Sequence, residues 1–277
     1  MNETVISNAD SLSETARKIR GQIVRMSHAS GAAHLGSALS CVDILVAAYW
    51  NALKIDPQQT DDPDRDRFIL SKGHASAALY ATLAARGFVP PEKLTTYGQN
   101  GSRLAEQMSP RCLPGVEAAT GSLGHGLSLG LGMALAARIQ NRSYRVWVLM
   151  SDGECNEGSV WEAAMFASAQ ALDNVTVIID YNGWQATGRS DEIMALPPLK
   201  DKWESFGFAV QQVDGHDLKA LPVVFAESTR THGRPSCIIA DTVKGKGVSF
   251  MEDDNNWHYR VPNDEELETA LAELGQQ

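Results

Sequence analysis

A chain of 277 residues with 43% hydrophobic content can bury roughly three quarters of the surface its unfolded form exposes, so one large domain is expected over 1–277. Its 34 acidic residues outnumber 24 basic ones for a net charge of −10, which argues against a nucleic-acid partner and requires any anionic ligand to be held locally. Cys41, Cys112, Cys155 and Cys237 form no Cys-x-x-Cys pair, which argues against a zinc site or disulfide framework and fits a reducing, cytoplasmic setting.

The start, Met1-Asn-Glu-Thr4, has no basic segment followed by an apolar one and does not read as a secretory signal. Patterning predicts helices over 13–26, 41–53 and 75–86. The longest uncharged run, 118–137, holds five glycines, His125 and three hydroxyl residues. That composition favours a glycine-rich loop leading into a buried helix at 127–139 over a membrane span. Beyond it, short apolar, β-branched strands at 144–150, 175–180, 208–213 and 236–241 read as buried on both faces. Helices near 159–171, 198–206 and 217–227 alternate with them. The alternation predicts an α/β fold, a parallel sheet with helices on both faces and ligands beyond the carboxyl ends of its strands. Asn263-Asp-Glu-Glu266 reads as the capped start of a last helix.

Two strand ends carry the chemistry. One runs into Ser151-Asp152-Gly153-Glu154 and the next into Tyr181-Asn182-Gly183, with a helix between. A strand, crossover helix and parallel strand put Asp152 and Asn182 side by side on one edge of the sheet. Oxygen ligands placed so can hold Mg2+, which keeps its other positions for water and phosphate oxygens. Alone, an Asp-Gly turn and an Asn-Gly turn are ordinary turn chemistry.

The acid, glycine and distant amide resemble the thiamine-diphosphate motif, with Ser151 in the place of its first glycine. Four further segments agree in order and spacing: Ser30-Gly-Ala-Ala-His-Leu-Gly-Ser37, Leu70-Ser-Lys-Gly-His-Ala-Ser76, Thr120-Gly-Ser-Leu-Gly-His-Gly126 and Asp241-Thr-Val-Lys-Gly-Lys-Gly-Val248, with Trp257-His258 following. Over nearly its whole length the chain resembles the amino-terminal, diphosphate-binding portion of transketolases. The resemblance implies a thiamine-diphosphate-binding fold, thiamine diphosphate and Mg2+ as cofactors, and ketol transfer, in which a two-carbon unit passes from a ketose to an aldose.

The same resemblance assigns roles. Asp152 and Asn182 would bind the metal through side-chain oxygens and Trp184 through its backbone carbonyl. Gly153 and Glu154 belong to the cofactor-binding turn, and Gly121, Ser122 and Leu123 to the loop that cradles the cofactor. His34, His74 and His258 would line the entrance and contact diphosphate or substrate hydroxyls, tasks suited to imidazole near neutral pH. Glu157, ranked above Glu162, would join a carboxylate network across a dimer. Lys244 and Lys246 read either as positive charge near phosphate on a flexible loop or as solvated surface lysines. Gln107 stands where many transketolases place a histidine that reaches the donor sugar. Gln can hydrogen-bond a hydroxyl but cannot shuttle a proton, which points to a specialised ketose donor. Gly121, Gly124 and Gly126 are out of order for a dinucleotide fingerprint.

The chain stops at Gln277, about where the family's pyrimidine-binding domain would begin, and that domain carries the glutamate that activates the cofactor. The expectation is one subunit of a split transketolase, with the pyrimidine-binding and carboxyl-terminal domains on a partner chain, two copies of each chain per assembly, and sugars as substrates. Rival readings are the alpha subunit of a 2-oxo-acid dehydrogenase or decarboxylase, a deoxyxylulose-phosphate synthase relative, and a non-catalytic thiamine-diphosphate-binding protein.

Overall fold

Five parallel strands organise the computed structural model, which describes residues 9–276. The helix α1 (Ala9–Ser30) leads into α2 (Leu35–Ser40) and α3 (Val42–Ala47), and then a π-helical turn, Ala48–Ala52. The single helix expected over 41–53 is therefore a short α-helix that widens into a π turn, with a second short helix before it. Strand β1 (Arg67–Leu70) and α4 (Ser76–Arg86) follow, then a long loop to α5 (Gly126–Ile139). The rest alternates: β2 (Val146–Ser151), α6 (Gly158–Ala169), β3 (Val175–Tyr181), α7 (Ser190–Ile193), α8 (Leu199–Ser205), β4 (Ala209–Asp214), α9 (Ala220–Thr229), β5 (Ser236–Asp241) and α10 (Asp264–Glu273).

The strand order is β1-β2-β3-β5-β4, all parallel. Side chains alternate across a strand. Accordingly Trp147 and Leu149 of β2 join the core built by α1 to α4 and α9, while Val146, Val148 and Met150 join the core under α5, α6 and α8. Helices thus cover both faces, as expected. Strand β4 departs from the expected double burial. It lies at the sheet edge, and of its residues only Val213 is buried, while Gln211 and Gln212 donate to Glu227 and Asp241. Strand β1 was not expected, because four residues flanked by Asp64-Arg65-Asp66 give a periodic signal too short to read. At the far end Asn263 caps α10 in a full capping box with Glu266. Among the described residues no helix is long and apolar enough to cross a membrane.

The register fixes where the strands end. Ser151 pairs with Asp180, and Asp180 with Ala240, so the carboxyl ends of β2, β3 and β5 finish level on one edge. Lys72, Asp152, Asn182 and Thr242 all stand just past the ends of neighbouring strands.

Candidate functional site

A cleft of about 290 Å³ opens at that edge. It is lined by His34, His74, His258 and Tyr259 on one side and by Ser151, Gly153, Asn182 and Trp184 on another, with Lys72, Leu123 and Glu157 also reaching it. His34 is held in the left-handed conformation, φ 69°, and its N–H donates to the His258 carbonyl at 2.8 Å. Its ring centre lies 4.7 Å from that of His74 and 5.1 Å from that of His258. Three histidines far apart in sequence thus converge, and the two extra residues Ala32 and Ala33 do not displace His34 from the group.

Asp152 is fully buried. Its Oδ2 accepts from the Gly183 N–H at 3.0 Å and the Ser190 hydroxyl at 2.7 Å, whereas Oδ1 is buried with no hydrogen-bond partner. Burial, opposed only in part by the Ser190 hydrogen bond, pushes its pKa up to about 6. Asn182 Oδ1 accepts one N–H, from Trp184 at 3.0 Å, which leaves a second acceptor position. An orphaned carboxylate oxygen and a carboxamide oxygen from the ends of adjacent strands are hard donors of the kind that suits Mg2+ completed by water and phosphate. No group of three or more His, Cys, Asp or Glu that could hold a metal gathers among the described residues, and this donor set does not need one. The Trp184 main chain pairs with Arg189 in an isolated bridge, and the residue lines the cleft.

Several expected residues are placed differently. Glu154 is fully buried and does not line the cleft. Its carboxylate accepts from the Ser71 hydroxyl, from Gly124 N–H at 2.8 Å and from Ser151 N–H at 3.3 Å. It ties the Gly121–Gly124 loop to the end of β2, so any effect on a cofactor is through that loop. Lys244 sits on the loop after β5 but is not a solvated surface lysine. It is fully buried, with Nζ at 2.6 Å from Asn255 Oδ1 and 3.0 Å from His258 Nδ1, and burial brings its pKa down to about 8. Donation by its ammonium to Nδ1 leaves the His258 proton on Nε2, free to be donated to an anion. Ser122 and Gln107 line a neighbouring hollow, and Gln107 approaches His74, the two Nε2 atoms 3.4 Å apart. Gly121 must be glycine, since φ is 132° and a Cβ would sit 2.8 Å from the Gln107 side chain. Glu157 and Glu162 are both exposed.

Sequence reasoning passed over a buried network behind the cleft. Lys72 donates to Asp180, which also accepts from Ser40 at 2.5 Å, from Thr242, and from Asn182 Nδ2 at 3.3 Å. Asp43 takes Arg20 on both oxygens, at 3.1 and 2.6 Å, and His216 Nδ1 at 2.7 Å, while His216 Nε2 accepts from Val243 N–H at 2.8 Å. The signal available was an acid two residues short of Asn182, inside an otherwise apolar strand.

Burial first, then the nearby His74 and Lys244, brings the His34 pKa down to about 4; burial and Lys244 bring His258 down to about 3. Both imidazoles are neutral at pH 7. Below the ordinary value near 6.5 the unfolded chain takes up protons that the folded chain resists, so their contribution is whole above 6.5 and is lost as pH falls toward 4. Asp152 acts in the opposite sense. His258→Gln should therefore flatten the acid-side loss of unfolding free energy relative to the unmodified chain, as measured by urea titration from pH 7 to 4. An unchanged slope would contradict the assignment.

Level carboxyl ends and a histidine-lined cleft just beyond them define an α/β protein that takes its ligand at the strand ends. The family model described as "Transketolase, thiamine diphosphate binding domain" matches residues 11–277, and the chain belongs to the transketolase family. It is 40% identical over 267 residues to an apulose-4-phosphate transketolase subunit of Phocaeicola vulgatus, covering 96% of this chain and 95% of that protein. It is 41% identical over 244 residues to the 6-deoxy-6-sulfo-D-fructose transketolase subunit SqwG of a Clostridium species, covering 88% and 89%. The crystal structure of Campylobacter jejuni transketolase superposes with a TM-score of 0.88 at 28% identity, over 98% of this chain but 43% of that one. Transketolase from Leishmania mexicana gives 0.89 and 27%, over 98% and 42%. The chain thus spans about four tenths of the length of these solved transketolases.

Proposed function

We propose that this chain is the diphosphate-binding subunit of a two-chain, thiamine-diphosphate- and Mg2+-dependent transketolase that transfers a ketol unit from an anionic ketose to an aldose in the cytoplasm. The observation that carries this reading is the buried, unpartnered Asp152 Oδ1 at the end of the strand next to the one that brings Asn182 to the lining of a cleft shared by His34, His74 and His258. Asp152, Asn182 and the Trp184 backbone would hold the metal, and Gly153, Leu123, His74 and His258 the cofactor. When bound, thiamine diphosphate supplies the carbanion chemistry. This chain's residues would orient the diphosphate, donate hydrogen bonds from neutral imidazole N–H groups to anionic oxygens, and present Gln107 and His74 to substrate hydroxyls.

A partner chain carrying the pyrimidine-binding domain and its activating glutamate completes the site in this reading, in an assembly with two copies of each. Relatives of nearly the same length that are named as transketolase subunits, rather than as whole transketolases, support it. So do the apolar outer faces of α5 and α6, where Leu129, Met165 and Phe166 are exposed and nothing stands over Gly132 or Gly158. Co-expression with a complementary chain, followed by assay, tests it. Ketol transfer should need both chains, and full turnover by this chain alone would refute the proposal. Among donors, apulose 4-phosphate and 6-deoxy-6-sulfofructose, suggested by the relatives' names, should be used at least about tenfold better than xylulose 5-phosphate, given Gln107 in place of a proton-shuttling histidine. Equal turnover would remove the specialised-donor reading.

A further inference from the structure

The cleft is walled by two loops from different strands, 182–190 after β3 and 242–258 after β5, joined by one ion pair and by Asn255 Nδ2 donating to the Ala186 carbonyl at 3.1 Å. Asp253 Oδ1 accepts from Arg189 Nη1 and Trp184 Nε1, both at 2.7 Å, and its Oδ2 accepts from Arg189 Nη2 at 2.6 Å. The guanidinium lies 3.8 Å over the Trp184 ring. Asp253 holds this position in the left-handed conformation, φ 57°, which costs any residue but glycine something, though Asp less than most. On one side the pair stands next to the proposed metal ligands: Trp184 N–H is on Asn182 Oδ1, and Ser190, beside Arg189, is on Asp152 Oδ2. On the other, Asp253 N–H donates to the carbonyl of Lys244, whose Nζ meets His258.

We propose that Arg189 and Asp253 are positioning residues, a clamp that sets the span between the magnesium-holding loop and the His258 loop; this rests on the diphosphate reading above. The side chains are 36% and 56% exposed, and ion pairs so exposed add little to stability. A bidentate fork nevertheless fixes geometry in two directions, and stacking on Trp184 fixes a third. Backbone strain persists where the surroundings over-determine it, and here it opposes folding while bringing the carboxylate to the fork. Clamp and strain therefore separate stability from function.

Asp253→Gly removes both the carboxylate and the strain. Its melting temperature should stay within about 3 °C of the unmodified chain or rise, while affinity for magnesium pyrophosphate, measured by titration calorimetry on the full chain, falls about tenfold. Arg189→Met should lose a similar factor, and the double variant no more than either single. The clamp is overturned if Asp253→Gly binds within twofold of the unmodified chain, if the two losses multiply, or if Asp253→Gly unfolds, since the pair would then be a stability element. Should the unmodified chain fail to bind magnesium pyrophosphate, the diphosphate reading fails instead, and amide hydrogen exchange decides the clamp. Exchange of Gly183 and Trp184 N–H about tenfold faster in Asp253→Gly, with β3 unchanged, supports it; unchanged exchange overturns it.

Discussion

Asp152→Asn should weaken magnesium-dependent thiamine diphosphate binding by at least about a hundredfold and leave the unliganded chain as stable as before, or more so. The carboxylate is held where water cannot reach it, and ionisation at pH 7 against a pKa of about 6 carries a penalty of roughly 3 kcal/mol relative to the free side chain. Asn keeps an oxygen for the Gly183 N–H and the Ser190 hydroxyl. The amide placed against the unpartnered position is less costly to bury than a charge.

A pH signature accompanies the substitution. Because the folded pKa is raised, the folded chain binds a proton more readily than the unfolded one, so this residue adds stability as pH falls from 6 toward 4. Asp152→Asn should abolish that increment. Metal and proton compete for the same oxygen, so magnesium affinity should decline below pH 6 in the unmodified chain. Titration calorimetry showing Asp152→Asn within threefold of the unmodified chain would rule out Asp152 as a ligand.

The other large effect is expected behind the cleft. Lys72→Met should destabilise the chain by about 3–5 kcal/mol, read from urea unfolding, because it leaves the Asp180 carboxylate charged and fully buried. Burial alone would push Asp180 up, but the Lys72 ammonium and the hydrogen bonds from Ser40 and Thr242 hold its carboxyl below the usual range. A loss of that size is a large part of the roughly 5–15 kcal/mol typical of a domain. Lys72→Met combined with Asp180→Leu removes both charges and should recover much of it, so the double-mutant cycle should be strongly non-additive. Additive losses would mean that the two charges do not depend on each other. The network also supports the site directly, since Asp180 accepts from Asn182 Nδ2 and so helps to aim the carboxamide oxygen.

The alternation of buried strands with helices, the adjacency of Asp152 and Asn182, and the capped start of α10 were all legible in the sequence. Each follows from local periodicity, or from the rule that a strand, crossover and parallel strand finish on the same edge. Five short motifs in order were enough to indicate the family, because backbone approach to a phosphate restricts which residues can stand there. Strand β1, the break in the helix at 41–53 and the exposure of β4 were not legible. They depend on which strand a segment pairs with and what covers it, and neither is encoded within a window of about ten residues. The fates of Lys244 and Glu154 were decided the same way. A lysine one residue before a glycine can look solvated until Asn255 and His258 enclose it, and an acid one residue past Gly153 looks cleft-facing until Ser71 and Gly124 claim one of its oxygens and Ser151 the other. Local sequence determined what chemistry the edge of the sheet could carry. Only long-range packing decided which charged groups face the cleft and which are buried to hold it in shape, because desolvation is set by neighbours distant along the chain.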